Sequence, residues 1–184
     1  MLQRNLIFSF QSLDSYMSSL FIRAATIRDV SKIVKIRLKT LNDEEISGFS
    51  DSEFANTSST EKLLEVWNKG NRLKDGFEVF LAEDDGKEVG YIMFKVEGDS
   101  GYIDDVVVAK EEQGKGVGRA LVTYAESVAK SQECYLMKTD TTENANGIPW
   151  RSYYFWLRMG YQDTGERIPT AYDFKEIPFI KTLK

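Results

Sequence analysis

A chain of 184 residues, 42% hydrophobic and 29% charged, is long enough to bury a core and has the composition of a globular protein rather than a disordered or fibrous one. Its 24 basic and 29 acidic side chains leave a formal charge of −5, which argues against a general nucleic-acid binder, since such proteins carry a basic face. Cys134 is the only cysteine, which excludes an internal disulfide and suits a reducing compartment; the lack of any histidine leaves a general base to a carboxylate, a phenolate or a relayed water.

Residues 1–19 read as an extension ahead of one domain over residues 20–184. The apolar run from Leu6 to Phe10 is broken by Gln11 and Asp14, too short for a membrane span and a poor signal peptide, so a cytoplasmic protein is expected. Residues 20–25 predict a first strand. Thr26, with Asp29 three positions on, predicts the cap of a helix carrying Val30, Ile33, Val34, Leu38 and Leu41 at helical spacing. Residues 42–59 are Ser-rich and acidic, with Asp43, Glu44, Glu45, Asp51 and Glu53, and read equally as a solvated loop or a substrate-contacting one. A second helix is expected over residues 60–69. Residues 77–82 and 89–96 form a hairpin across Asp84-Asp85-Gly86.

Gly98-Asp99-Ser100-Gly101 then turns the chain into an apolar central strand over residues 102–108. After a glycine-rich segment, Val117, Ala120, Leu121, Tyr124, Ala125 and Val128 make one helical stripe. Residues 135–141 predict another strand. Pro149, suited to a first helical turn, and Gly160, suited to a helix stop, bracket a helix over residues 150–159. Residues 161–183 read as two closing strands, in which Pro178 suggests an edge or a bulge. The order is β-α-α-β-β-β-α-β-α-β-β, a mixed α/β fold.

The most informative stretch joins the central strand to the helix after it. Gly114, Gly116 and Gly118 allow a tight backbone that lies close to a ligand, and the first N–H groups of a helix have no partner within it. Together with the positive end of the helix dipole they make an anion site, phosphate above all, and Lys115 and Arg119 reinforce it. A P-loop is excluded, because Arg119 stands where a loop starting at Gly114 would require a second glycine followed by Lys; a dinucleotide fingerprint fails because Arg119 and Leu121 stand where glycine is needed. What fits is Gln-x-x-Gly-x-Gly over Gln113 to Gly118, which resembles the acetyl-CoA pyrophosphate loop of the GCN5-related N-acetyltransferase (GNAT) family. A second local similarity, Phe155-Trp156-Leu157-Arg158-Met159-Gly160-Tyr161, looks like the ending of that family's fourth helix.

The resemblance covers residues 20–183 and implies the acyl-CoA N-acyltransferase fold, a mixed sheet splayed between its fourth and fifth strands, with the pantetheine arm in the opening. It implies acetyl-CoA as cosubstrate and direct acetyl transfer to a primary amine without an acyl-enzyme. Cofactor contacts would fall on the backbone of Val106, Val107 and Val108, on Gln113, Gly114, Lys115, Gly116, Val117, Gly118 and Arg119, near Asn144 or Asn146, and at Trp156 beside the CoA sulfur. Asp104 and Asp105 are the base candidates, because carboxylates interrupting an apolar strand are unusual and only one of two adjacent side chains can face the amine. Many members carry a tyrosine acid where this chain has Trp156, so Tyr153 or Tyr154 would have to serve, unless the thiolate leaves unaided. Cys134 reads as a buried structural thiol and no metal motif is present.

The acidic segment around Asp43 points to a polyamine or another small cationic amine as acceptor, with no nucleic acid and no membrane as partner, and with a homodimer allowed. The alternatives are a catalytically silent acyl-CoA sensor, an acetyltransferase for protein N-termini or lysines, and a phosphate-binding module for another nucleotide.

Overall fold

The computed structural model describes residues 19–41, 64, 67–170 and 173–184. The N-terminal extension, apart from Ser19, and the acidic segment of residues 42–59 lie outside them, as does most of the expected second helix. Ten strands and three helices are defined among the described residues. They are β1 (Phe21–Ala24), α1 (Val30–Leu41), β2 (Trp67–Lys69), β3 (Arg72–Leu73), β4 (Glu78–Asp84), β5 (Lys87–Glu97), β6 (Ser100–Val108), α2 (Val117–Ser131), β7 (Leu136–Glu143), α3 (Arg151–Arg158), β8 (Gln162–Asp163), β9 (Ile168–Pro169) and β10 (Lys175–Thr182). Hydrogen-bonded neighbours follow the order β2-β3-β4-β5-β6-β7-β10-β8, with β1 on β4 and β9 on β10. β6 and β7 are parallel while β1–β4, β2–β3 and β7–β10 are antiparallel, so the sheet is mixed. The chain forms two compact units, the described residues up to Met93 with Asp105–Tyr124, and Phe94–Asp104 with the residues from Ala125 onward; β5 and β6 run through both.

In the first unit, one face of α1 (Val30, Ile33, Val34 and the unanticipated Ile36) packs with Val79, Leu81 and Tyr91 of the sheet. Thr26 donates from its backbone N–H and its hydroxyl to the Asp29 carboxylate, both at 2.9 Å, at the start of a short 3-10 turn leading into α1. Arg23 reaches the same carboxylate at 2.8 Å, so strand and helix entry are pinned together. The expected hairpin is present, and Asp85 (φ 48°) and Gly86 (φ 74°) take the left-handed pair that matches strand twist. Gly90 on β5 is required by proximity: a Cβ there would stand 2.7 Å from the Val107 carbonyl oxygen.

The expectation of a helix reaching residue 69 is corrected. Trp67–Lys69 is β2, which turns at Gly70 (φ 66°) and pairs with β3. Burying Trp67, whose indole N–H donates to the Gly70 carbonyl at 2.9 Å, outweighs the local helical pattern.

In the second unit, β7 pairs with β10 along its whole length. The parallel ladder of β6 with β7 covers only Ser100–Tyr102 against Leu136–Lys138, and both strands continue past it. Gly101 allows this approach, because a Cβ would overlap the Met137 sulfur. Pro149 precedes α3 rather than opening it, bridging Glu143 while Trp150 takes the cap position; Gly160 (φ 83°) ends the helix as expected. The closing segment has three strands, not two, because β8 and β9 pair with β10 at Phe179/Ile180 and at Lys175/Glu176 and leave Pro178 between them. The ladder to β7 passes Pro178 without a bulge. Its carbonyl accepts from Thr164 at 3.1 Å on the outer side, so its missing N–H falls where the outer strand is interrupted.

Candidate functional site

The loop after β6 is built to present backbone. Residues Lys110–Glu112 form a 3-10 turn, after which Gly114 (φ 80°) and Gly116 (φ 91°) take left-handed conformations that other residues adopt only with strain. A Cβ at Gly114 would meet no atom within 4 Å, so glycine there serves the backbone conformation and leaves the surface open. The Gln113 side-chain amide donates to the Val108 carbonyl at 3.0 Å and ties the loop back to the strand end. α2 starts at Val117, so the N–H groups of Val117, Gly118 and Arg119 belong to its first turn. Val117 is buried and anchors the helix, whereas Arg119 is exposed. Lys115 is exposed too, but its ammonium pairs with Glu112 at 2.8 Å, with Lys87 3.6 Å from the same carboxylate; an incoming phosphate would compete with Glu112 for Lys115.

The same strand carries the carboxylates. Along β6 side chains alternate, so Asp104 and Asp105 face opposite sides. Asp105 is enclosed, with 22% of its side chain exposed; the Tyr91 hydroxyl donates to its Oδ2 at 2.7 Å and the Arg37 Nε of α1 stands 3.8 Å from that oxygen. Burial pushes the Asp105 carboxyl above the ordinary carboxylate range, against the opposing pull of Arg37 and Tyr91. A carboxyl so shifted is a better proton acceptor than a solvated one. Asp104 is exposed, and on its face Tyr102 donates to Asp140, whose carboxyl burial also pushes upward. Tyr102 is held well above the usual phenol range by burial first, then by Asp140, with Asp104 and Glu176 adding to it.

The other expected site residues lie in the second unit. Asn144 shapes its own loop, its side-chain carbonyl accepting from the N–H groups of Asn146 and Ile148 at 3.0 Å each; Asn146 is exposed. Trp156 is 3% exposed and meets Phe155 and Tyr161 edge to face, both at 5.0 Å between ring centroids. Tyr153 donates its hydroxyl to Asp163 at 3.0 Å, a bond that raises the phenol above its usual range, while Tyr154 is 53% exposed and meets Tyr153 edge to face. Arg167 bridges Asp163 and Glu143, at 2.9 and 3.0 Å. Cys134 is buried and burial raises its thiol, as expected of a structural cysteine.

Sequence reasoning missed Arg37, Tyr91, Tyr102, Asp140 and Asp163. One signal was available for Tyr91: a tyrosine in an apolar strand run needs a partner for its hydroxyl, and an aspartate on the next strand is the natural one. The others have no local signature. Among the described residues, no group of three or more acidic or cysteine side chains is arranged to hold a metal, and no helix is long and apolar enough to cross a membrane.

Comparison with known proteins agrees with this architecture. A segment of 68 residues is 38% identical to glucosamine 6-phosphate N-acetyltransferase of Candida albicans, covering 37% of this chain and 41% of that protein. A segment of 106 residues is 33% identical to an uncharacterized N-acetyltransferase of Methanocaldococcus jannaschii, covering 57% of this chain and 65% of that one. The chain therefore spans less than two thirds of the length of either relative. Among solved structures, the paia N-acetyltransferase of Thermoplasma acidophilum in complex with coenzyme A superposes with a TM-score of 0.71 at 17% identity, over 89% of this chain and 99% of that one, a likeness of fold. Residues 39–161 match the model of the acetyltransferase (GNAT) family, over half of the sequence, and this chain belongs to that family.

Proposed function

We propose that the chain transfers the acetyl group of acetyl-CoA directly to a primary amine, that Asp105 takes the proton the amine gives up, and that the acceptor is a small cationic amine such as a polyamine. The observation that carries the reading is the loop from Gln113 to Gly118. Its two left-handed glycines, the open surface at Gly114 and the first turn of α2 make a cradle fit for a pyrophosphate. The backbone of Val106, Val107 and Val108 would hold the amides of the pantetheine arm. Acetyl-CoA supplies a thioester whose carbonyl carbon an amine can attack.

An alkylamine is protonated at neutral pH, with a pKa of about 10.4 for a lysine-like group, so a proton must leave before it can attack. The raised carboxyl of Asp105 supports that role. No strong acid is needed on the other side, because a simple thiol has a pKa near ~8.5 and its thiolate leaves readily. That agrees with the burial of Trp156 and with a Tyr153 hydroxyl already committed to Asp163. A small cationic acceptor is supported by the acidic composition of residues 42–59, and a relative whose name gives an amino-sugar phosphate supports a small-molecule amine over a protein.

The test is release of CoA thiol from acetyl-CoA across polyamines, aminoglycosides, amino acids and N-terminal peptides. Turnover highest with a polyamine or another small cation supports the proposal. Turnover highest with a peptide assigns the chain to protein acetylation instead. Tight CoA binding with no turnover on any amine identifies an acyl-CoA sensor, the alternative that Trp156 in place of tyrosine favours.

A further inference from the structure

Two side chains converge on one oxygen of Asp105. The Tyr91 hydroxyl, on a side chain with 0% exposure, donates to Oδ2 at 2.7 Å, and the Arg37 guanidinium approaches that same oxygen, with Nε at 3.8 Å. These two groups come from different elements, β5 and α1, and from positions distant in sequence. Besides them, the backbone N–H of Val106 on its own strand acts on the carboxylate. A core tyrosine can satisfy its hydroxyl on any backbone carbonyl, and an arginine at the border of a helix can reach solvent. Here both converge on one atom of the strand's only enclosed carboxylate.

We infer that Tyr91 and Arg37 are positioning residues for Asp105, fixing the carboxylate through Oδ2 so that the proton of the attacking amine is taken at Oδ1. The inference rests on the reading of Asp105 as the base. In the step an N–H bond of the amine breaks, its electron pair stays on nitrogen for attack on the thioester carbon, and an O–H bond forms at Oδ1. The geometry divides the work: Tyr91 sets the plane of the carboxylate by a directed hydrogen bond, and Arg37 opposes the effect of burial and so favours the ionised carboxylate. Taking away either one leaves the enclosed carboxylate less able to shed its proton, so the acidic limb of the rate profile moves to higher pH.

The experiment measures kcat and KM from pH 5 to 9 for the wild type and for Tyr91→Phe, Arg37→Met, Arg37→Lys and Asp105→Asn, with the carboxyl titration of Asp105 followed by 13C NMR in the folded variants. Tyr91→Phe and Arg37→Met should each move the acidic limb of kcat and the NMR titration upward by about half a unit to one unit. Tyr91→Phe should also lower the plateau kcat roughly three- to tenfold with little change in the KM for acetyl-CoA, because alignment is lost as well as charge balance. Arg37→Lys should restore most of the shift caused by Arg37→Met. Arg37 reaches solvent, so its variants keep the test alive if Tyr91→Phe does not fold. An unmoved limb in the folded Tyr91 and Arg37 variants, together with an inactive Asp105→Asn, overturns the positioning roles and leaves the base standing. An active Asp105→Asn overturns the base itself, and the positioning roles with it.

Discussion

Neighbouring aspartates on one strand differ because of what lies across from them. Asp104 is exposed, whereas Asp105 is enclosed beside Tyr91 and Arg37. Asp105→Asn is expected to lower turnover about a hundredfold or more, the scale of a lost general base, while Asp104→Asn retains activity within a few fold. Stability should move the other way. The Asp105 carboxyl is raised in the folded state, so the fold binds its proton more tightly than the unfolded chain does; above the folded pKa the ionised group works against folding. Asp105→Asn removes that charge, and its melting temperature at pH 7, read by calorimetry, should exceed that of the wild type. Gly116 gives a second prediction at this scale. At φ 91° any side chain strains the loop, and Gly116→Asp adds a negative charge where the pyrophosphate would sit. Titration calorimetry with CoA should show binding weakened at least tenfold, about 1.4 kcal/mol, in a variant whose circular dichroism is unchanged.

At the scale of elements, one ion pair joins three elements of the second unit. Lys181 of β10 donates to both Glu126 oxygens of α2, at 2.8 and 3.0 Å, and to the Met159 carbonyl at the end of α3, at 2.8 Å. Helix, helix and strand therefore share one ammonium, which also lies 5.3 Å from the centre of the Tyr161 ring. Glu126 is only 8% exposed, so removing its partner strands a buried charge. Lys181→Met is expected to cost about 3 kcal/mol in urea unfolding, and Lys181→Met with Glu126→Gln to recover part of that loss. Similar logic governs Tyr153, whose hydroxyl is held by Asp163, itself braced by Arg167. A side chain embedded in such a network is poorly placed to donate a proton elsewhere without breaking it.

For the whole molecule, pH dependence follows from carboxylates pulled in opposite directions. Arg23, with help from the Thr26 N–H and hydroxyl, holds Asp29 well below the usual carboxylate range. A folded-state pKa below the unfolded one adds stability at every pH above about 4 and surrenders it as the pH falls from there toward the depressed value. Asp29→Asn should therefore lose about 2 kcal/mol at pH 7, less than a fully buried pair because Arg23 is 25% exposed. The difference from wild type should shrink when urea melts are repeated at pH 3, and a gap independent of pH would show that packing, not charge, accounts for it.

Local chemistry in the sequence determined most of the elements. The Asp85-Gly86 turn, the α1 and α2 stripes, the helix stop at Gly160 and the glycine loop all follow from rules that act over a few residues, and the loop together with the α3 ending carried the family. Tertiary structure alone decided the rest. Trp67–Lys69 became a strand because pairing with β3 and burial of the indole exceed a weak helical preference. Pro178 is accommodated by a break in the outer strand, which arises from the separate courses of β8 and β9. Which aspartate is tuned depends on Tyr91, 14 residues away, and on Arg37 from α1, and neither side chain marks that role in its own neighbourhood of sequence. Electrostatic environment and burial are set by contacts between distant segments, so a carboxylate's place on a strand is legible in the sequence while its proton affinity is fixed only when the chain closes around it.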